Sequence, residues 1–268
     1  MFKTRLLSGI VLVIIALFTV ISGGNILFGV LYAISMIGMS ELYKVSKIER
    51  TPAGIVGYIA GTAYYFFIVL TGKTENLAML AIAFLIILMA LYVFSFPKYK
   101  SNQIMTAYFG MFYVAMMLSY VYMTRMLPQG AFLVWLVFLC SWGSDTCAYC
   151  VGVLFGKHKM APVLSPKKSI EGGVGGVVGA ALLGALYAFI INKFAPQTNA
   201  SVFVYAVICG IGSMISQVGD LAASAIKRDN DIKDYGKLIP GHGGILDRFD
   251  SVIFTAPIIY YLSVFLMK

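Results

Sequence analysis

Apolar residues fill this chain in long blocks separated by short polar stretches, without the alternation of a half-buried strand or the narrow stripe of a soluble helix. The blocks lie at 6–22, 25–43, 53–71, 77–96, 103–124, 131–155, 173–192, 201–222 and 250–267. Each approaches the roughly 20 residues that a helix needs to cross a hydrocarbon core. Backbone N–H and C=O groups inside lipid must pair within their own segment, so blocks of this kind predict helices. The expected fold is an all-α polytopic integral membrane protein with about nine transmembrane helices. No persuasive small-residue cleavage motif closes the first block, and the next begins at Ile26, so the first is read as a retained helix.

Composition agrees with the pattern, with 60% hydrophobic and only 12% charged residues and a mean hydropathy of +0.89. Positive residues are retained on the cytoplasmic side of a membrane, so their distribution sets orientation. A cytoplasmic N-terminus puts all but four of the 20 Lys and Arg on the inner face, the exceptions being Lys73, Arg125, Lys193 and Lys268. The inner residues are Lys3, Arg5, Lys44, Lys47, Arg50, Lys98, Lys100, Lys157, Lys159, Lys167, Lys168, Lys227, Arg228, Lys233, Lys237 and Arg248. The C-terminus is then external. The net charge of +9 reads as topology, with no nucleic-acid partner implied. The same cations suit anionic membrane lipid.

Residues 1–125 are expected to hold five helices. Residues 126–268 are expected to hold the other four, with cytoplasmic loops 156–172 and 223–249 carrying the chemistry. Cys140, Cys147, Cys150 and Cys209 all fall inside apolar blocks, and the single C-x-x-C pair at Cys147 and Cys150 reads as small buried hydrophobes.

Carboxylates are few, which makes their places informative. Asp145 and Asp220 fall within blocks, where a charge costs at least about 2.5 kcal/mol and is expected to face a wet or paired interior. Glu41, close to the end of its block and to Lys44, is read as snorkelling to the interface or pairing with that lysine. Asp220 closes the eighth block and Asp247 precedes the ninth, so a short loop between them can bring the two carboxylates together. Carboxylate oxygens beside Lys and Arg are the chemistry that Mg²⁺ and polyphosphate require. The competing reading is a structural network in which both pair with Lys227 or Arg248. The turn Pro240-Gly241-His242-Gly243-Gly244 offers backbone N–H groups to phosphate, and His242 either donates to a phosphate oxygen or caps the turn. Ser169 followed by Glu171 reads as a helix start, an anion-favouring position beside Lys167 and Lys168. Gly172, Gly173, Gly175, Gly176 and Gly179 are assigned to close helix packing.

These residues resemble the phosphatidate cytidylyltransferases, also called CDP-diacylglycerol synthases. The family signature reads here as Ser224, Ile226, Lys227-Arg228, Lys233-Asp234, Gly236, Ile239-Pro240, His242-Gly243-Gly244-Ile245 and Asp247-Arg248-Phe249-Asp250. A second block resembles the family at Asp145, Ala148-Tyr149, Gly152, Phe155-Gly156-Lys157, Ser165-Pro166-Lys167-Lys168 and Glu171-Gly172, with Ile170 its one difference. The likeness in motifs covers the C-terminal half.

The resemblance implies that CTP and phosphatidate give CDP-diacylglycerol and pyrophosphate at the cytoplasmic face of the inner membrane, by a homodimer. It also implies Mg²⁺ on Asp220 and Asp247, with a second cation site, including a monovalent one, left open. Asp250 would support the metal, and Asp145 would reach metal, cation or a lysine. Lys167, Lys168, Lys227, Arg228, Lys233, Lys237 and Arg248 would divide between CTP phosphates and lipid headgroup. Asp234, His242, Gly243 and Gly244 complete the expected site. Asp247→Asn is expected to abolish turnover and leave folding intact. A transporter with Asp145 and Asp220 on a cation path would need an inverted repeat, and the halves show none. The D-G-x-x-A-R motif of CDP-alcohol phosphotransfer is also absent.

Overall fold

The computed structural model describes residues 2–71 and 77–267, with side chains from residue 7 to 69 and from 77 to 267. Lys73 and Lys268 lie outside the described residues, as do the side chains of Lys3 and Arg5. The helices are α1 (Phe2–Ser22), α2 (Gly24–Val45), α3 (Pro52–Thr71), α4 (Leu77–Ser95), α5 (Ser101–Met126), α6 (Gly130–Phe155), α7 (Ile170–Phe194), α8 (Val202–Asp229) and α9 (Leu246–Leu266). Eight of them, α2 to α9, are long and apolar enough to cross a membrane, and α1 has a shorter apolar stretch, Leu7–Ser22. The chain is thus a multi-pass, all-α membrane protein. Its small exception is an antiparallel pair, β1 (Lys159–Ala161) and β2 (Ser165–Ser169), between α6 and α7.

Helix ends differ from hydropathy blocks where the sequence turns polar. α8 continues past residue 222 to Asp229, and α9 begins at Leu246, four residues before its apolar block. The polar segment therefore shrinks from 223–249 to 230–245, and Lys227, Arg228, Asp247 and Arg248 are helical. Hydropathy marks where lipid ends, whereas the backbone ladder continues into water. Ser169 does begin α7: its side chain accepts the Gly172 N–H at 3.1 Å.

In lipid, apolar burial alone does not hold helices together, so small residues and buried hydrogen bonds must. Ser35 and Tyr65 link α2 to α3 at 2.6 Å, Tyr64 and Ser119 link α3 to α5 at 3.0 Å, and Ser144 and Ser213 link α6 to α8 at 2.6 Å. Gln217 Nε2 donates to the Gly173 carbonyl at 2.9 Å and ties α8 to α7. On α7, Gly172, Gly175, Gly176 and Gly179 lie against Ala148, Val151 and Cys147 of α6, where a methyl group would collide. The expected packing role of these glycines is met within one chain.

All four cysteines are free. Cys140 and Cys209 are buried, but Cys147 is half-buried and Cys150 exposed. The expectation of burial therefore fails for Cys150, because the second half of α6 turns a face away from the bundle, as exposed Tyr149, Val153 and Leu154 also show.

Candidate functional site

The ends of α6, α8 and α9 converge with the 230–245 segment and the N-terminal helices around two adjoining cavities. The first, about 570 Å³, is amphiphilic. Its apolar wall comes from α1 and α2, including Leu12, Val13, Ala16, Leu27 and Leu31, with Phe138 and Trp142 of α6. Its polar end holds Asp145, Asp220, Lys227, Asp234, Asp247, Arg248, Asp250 and Ser251. The second, about 690 Å³, is the more polar of the two, lined by Lys233, Asp234, Lys237, His242, Gly243 and Arg248 together with Ile239 and Pro240. Asp234 and Arg248 border both. Two stretches far apart in sequence therefore share one site.

Asp247 is the most constrained of the carboxylates, its side chain 2% exposed. Oδ1 accepts from Lys227 Nζ at 2.8 Å, and Oδ2 accepts the N–H groups of Tyr235 at 2.8 Å and Gly244 at 2.9 Å. It thereby fastens the polar segment to α9 and holds Lys227 in place. Lys227 also stands 5.5 Å over the Tyr235 ring, and the Tyr235 hydroxyl donates to the Ala223 carbonyl at 3.2 Å. Burial, with Tyr113 and Asp247 nearby, pushes the Tyr235 hydroxyl well above its ordinary range and keeps it a donor. Tyr235 lay outside the expected site because its part is played mostly by its backbone.

Asp220, one face of α8, is ion-paired with Lys168 from β2. Asp145 follows a widened π-type turn at Leu139–Gly143, a distortion that re-aims side chains along a helix. Ser251 Oγ donates to Asp250 Oδ1 at 3.3 Å and to Asp145 Oδ2 at 3.5 Å, which links α9 to α6. Among the described residues no three His, Cys, Asp or Glu side chains meet as a ready ligand set. The donor chemistry nevertheless suits a hard divalent cation, since Asp145, Asp220 and Asp250 present oxygens to one cavity.

The glycine turn is built as expected at Gly241 and Gly243, with φ of +77° and +87°. Ile239 N–H closes the turn on the Gly243 carbonyl at 2.9 Å. Gly244 differs from expectation: its N–H is committed to Asp247, not left for a phosphate. His242 Nδ1 lies 3.0 Å from Ser8 Oγ of α1, so its ring is set against the first helix. Lys167 is exposed on β2, and Arg228 turns back to donate to the Ile232 carbonyl at 3.2 Å.

Glu41 overturns its expected reading. Lys44 pairs with Glu49 at 3.6 Å, while Glu41, 4% exposed, accepts the N–H groups of Ile245 and Leu246, each at 2.9 Å. Nothing in the sequence near residue 41 foretells this, because its partners are backbone groups 204 and 205 residues away.

Fold and site together define an integral membrane protein with a charged cavity set at the head of an apolar slot. The chain matches the cytidylyltransferase family over residues 3–266. Phosphatidate cytidylyltransferase of Bacillus subtilis is 31% identical, over 97% of each chain. Its namesake in Staphylococcus saprophyticus is 34% identical over 98% of this chain and 99% of the relative, and that of Staphylococcus aureus 30% over the same shares. The chain belongs to the cytidylyltransferase family.

Proposed function

We propose that this protein transfers CMP from CTP to phosphatidate, giving CDP-diacylglycerol and pyrophosphate for phospholipid synthesis. The observation that carries the reading is the meeting of an amphiphilic and a polar cavity at Asp234 and Arg248. A phosphatidate fits the first by its chemistry, acyl chains along α1 and α2 and phosphate at the carboxylate and ammonium cluster. The triphosphate of CTP fits the second, beside Lys233, Lys237, Arg248, His242 and the turn at Gly243.

A phosphate monoester is already largely ionised near neutrality, its second pKa lying at about 6, so the nucleophile needs no strong base. Its oxygen forms a bond to the α-phosphorus of CTP, the bond from that phosphorus to the bridging oxygen breaks, and pyrophosphate leaves. The protein's part is alignment and neutralisation of the charge that moves to the leaving group. Lys227 and Lys168, held by Asp247 and Asp220, are assigned to phosphate oxygens, with Lys167 and Arg228 at the rim.

Mg²⁺, the assigned metal, would neutralise polyphosphate charge. Asp220 and Asp247 are its assigned ligands, with Asp250 and Asp145 supporting from the same cavity. Because Asp247 already accepts from Lys227 and two backbone N–H groups, most of the oxygens offered to the metal would come from Asp220, Asp145 and Asp250. A second cation, monovalent or divalent, belongs to the same cluster. Nine membrane passages, a cytoplasmic N-terminus, an inner-membrane location and a site facing the cytoplasm are proposed from the positive charge of alternate loops. A homodimer is proposed from the family resemblance.

Pyrophosphate release by the detergent-purified protein tests this, with phosphatidate, Mg²⁺ and each of the four ribonucleoside triphosphates in turn. Release with CTP alone, lost when lipid is omitted, is expected. Release with none of the four by a well-folded sample would overturn the assignment, and activity unchanged by a chelator would remove the metal from it.

A further inference from the structure

Helix α9 carries Asp247, Arg248 and Asp250 in its first turns but cannot cap itself. The residue before it, Ile245, has helical backbone angles and no side-chain acceptor, and Leu246 is equally apolar. The first turn of a helix leaves N–H groups without partners, and here the two at Ile245 and Leu246 are buried. Glu41, on α2, supplies an acceptor oxygen to each: Oε1 to Ile245 and Oε2 to Leu246, both at 2.9 Å. A carboxylate at this end of a helix also meets the positive end of its dipole.

The fit is close. Gly236 and Gly244 flank the Glu41 carboxylate, and a methyl group at either would overlap it. Gly244 has no positive φ, unlike Gly241 and Gly243, so proximity to Glu41 alone accounts for glycine there. The same backbone is gripped from the other side, where Asp247 takes the Gly244 and Tyr235 N–H groups. Glu41 and Asp247 therefore clamp the turn between them, one from each half of the chain.

We propose that Glu41 is a positioning residue for the reaction: capping α9 from a neighbouring helix, it sets where Asp247, Arg248 and Asp250 stand in the cavity. Its hydrogen bonds reach the signature segment through backbone N–H groups alone. The inference rests on the cytidylyltransferase reading, and activity of the native chain tests that reading separately.

The experiment compares Glu41→Gln and Glu41→Ala with the native full-length protein in detergent. It measures kcat and KM for CTP and for phosphatidate, together with elution volume and thermal unfolding. Supporting residues around a site typically matter about 10-fold to 100-fold. Glu41→Ala should lower kcat by about that factor, with both KM values within about three-fold of native. Glu41→Gln, whose amide oxygen still accepts one N–H, should fall between. If Glu41→Ala does not fold, Glu41→Gln decides. A folded Glu41→Gln with native kcat, or loss of activity that only follows the unfolded fraction in both variants, would overturn the proposal.

Discussion

Asp247 and Asp220 have the same side chain in surroundings that give it different tasks. Asp247 is buried with three donors, one of them Lys227; removing one partner of a buried ion pair costs about 3–5 kcal/mol. Asp247→Asn keeps one oxygen but places an amide N–H₂ against ammonium or backbone donors. It should lose turnover and also unfold at clearly lower temperature, which replaces the expectation that its fold stays intact. Among the described residues Asp220 is ion-paired with Lys168 alone, and its side chain is 25% exposed. Asp220→Asn should cut pyrophosphate release on the order of 100-fold, while its unfolding temperature falls less than that of Asp247→Asn. Equal thermal losses in the two variants would refute this division. Neither difference is legible from the two residues' places in sequence, since the donors to Asp247 come from positions 227, 235 and 244.

At the scale of elements, caps and turns decide how the site is presented. Ser169→Ala removes the α7 cap and should cost about 1 kcal/mol, seen as a modest fall in unfolding temperature. Gly243→Ala should be worse, because φ is +87° and a new methyl would lie 2.8 Å from Asp247 Oδ2. A left-handed alanine costs roughly 1–2 kcal/mol before any contact with the carboxylate is counted. Turnover should fall more steeply than stability, since the displaced group is Asp247. The glycine turn and the Ser169 cap were readable in the sequence because their partners lie within a few residues. The helical extensions of α8 and α9 were not, for composition turns polar at the membrane surface while hydrogen bonding continues.

Across the whole molecule, the N-terminal helices wall the cavity whose charged end comes from α6, α8 and α9. Filling the slot should affect the lipid substrate alone. Ala16→Trp is expected to raise KM for phosphatidate about 10-fold, the order of effect that overpacking produces, with KM for CTP unchanged. Kinetics at varied lipid and fixed CTP would show it, and an equal rise for both substrates would argue against an acyl slot on α1. The N-terminal half thus joins the site through Ala16 and Glu41, although its motifs hold no part of the signature.

The sequence by itself determined the class of fold, the multi-pass arrangement and the family. Apolar blocks of bilayer length and a long, exactly spaced polar signature are local properties, set by solvent and by neighbours along the chain. The tertiary structure alone decided which groups meet: Asp247 with Tyr235 and Gly244, Asp220 with Lys168, Ser251 between Asp145 and Asp250, and Glu41 over the start of α9. Such pairings depend on how helices pack and rotate against one another. A hydropathy block faces lipid or protein with nearly the same residues, so those rotations leave no mark on the pattern.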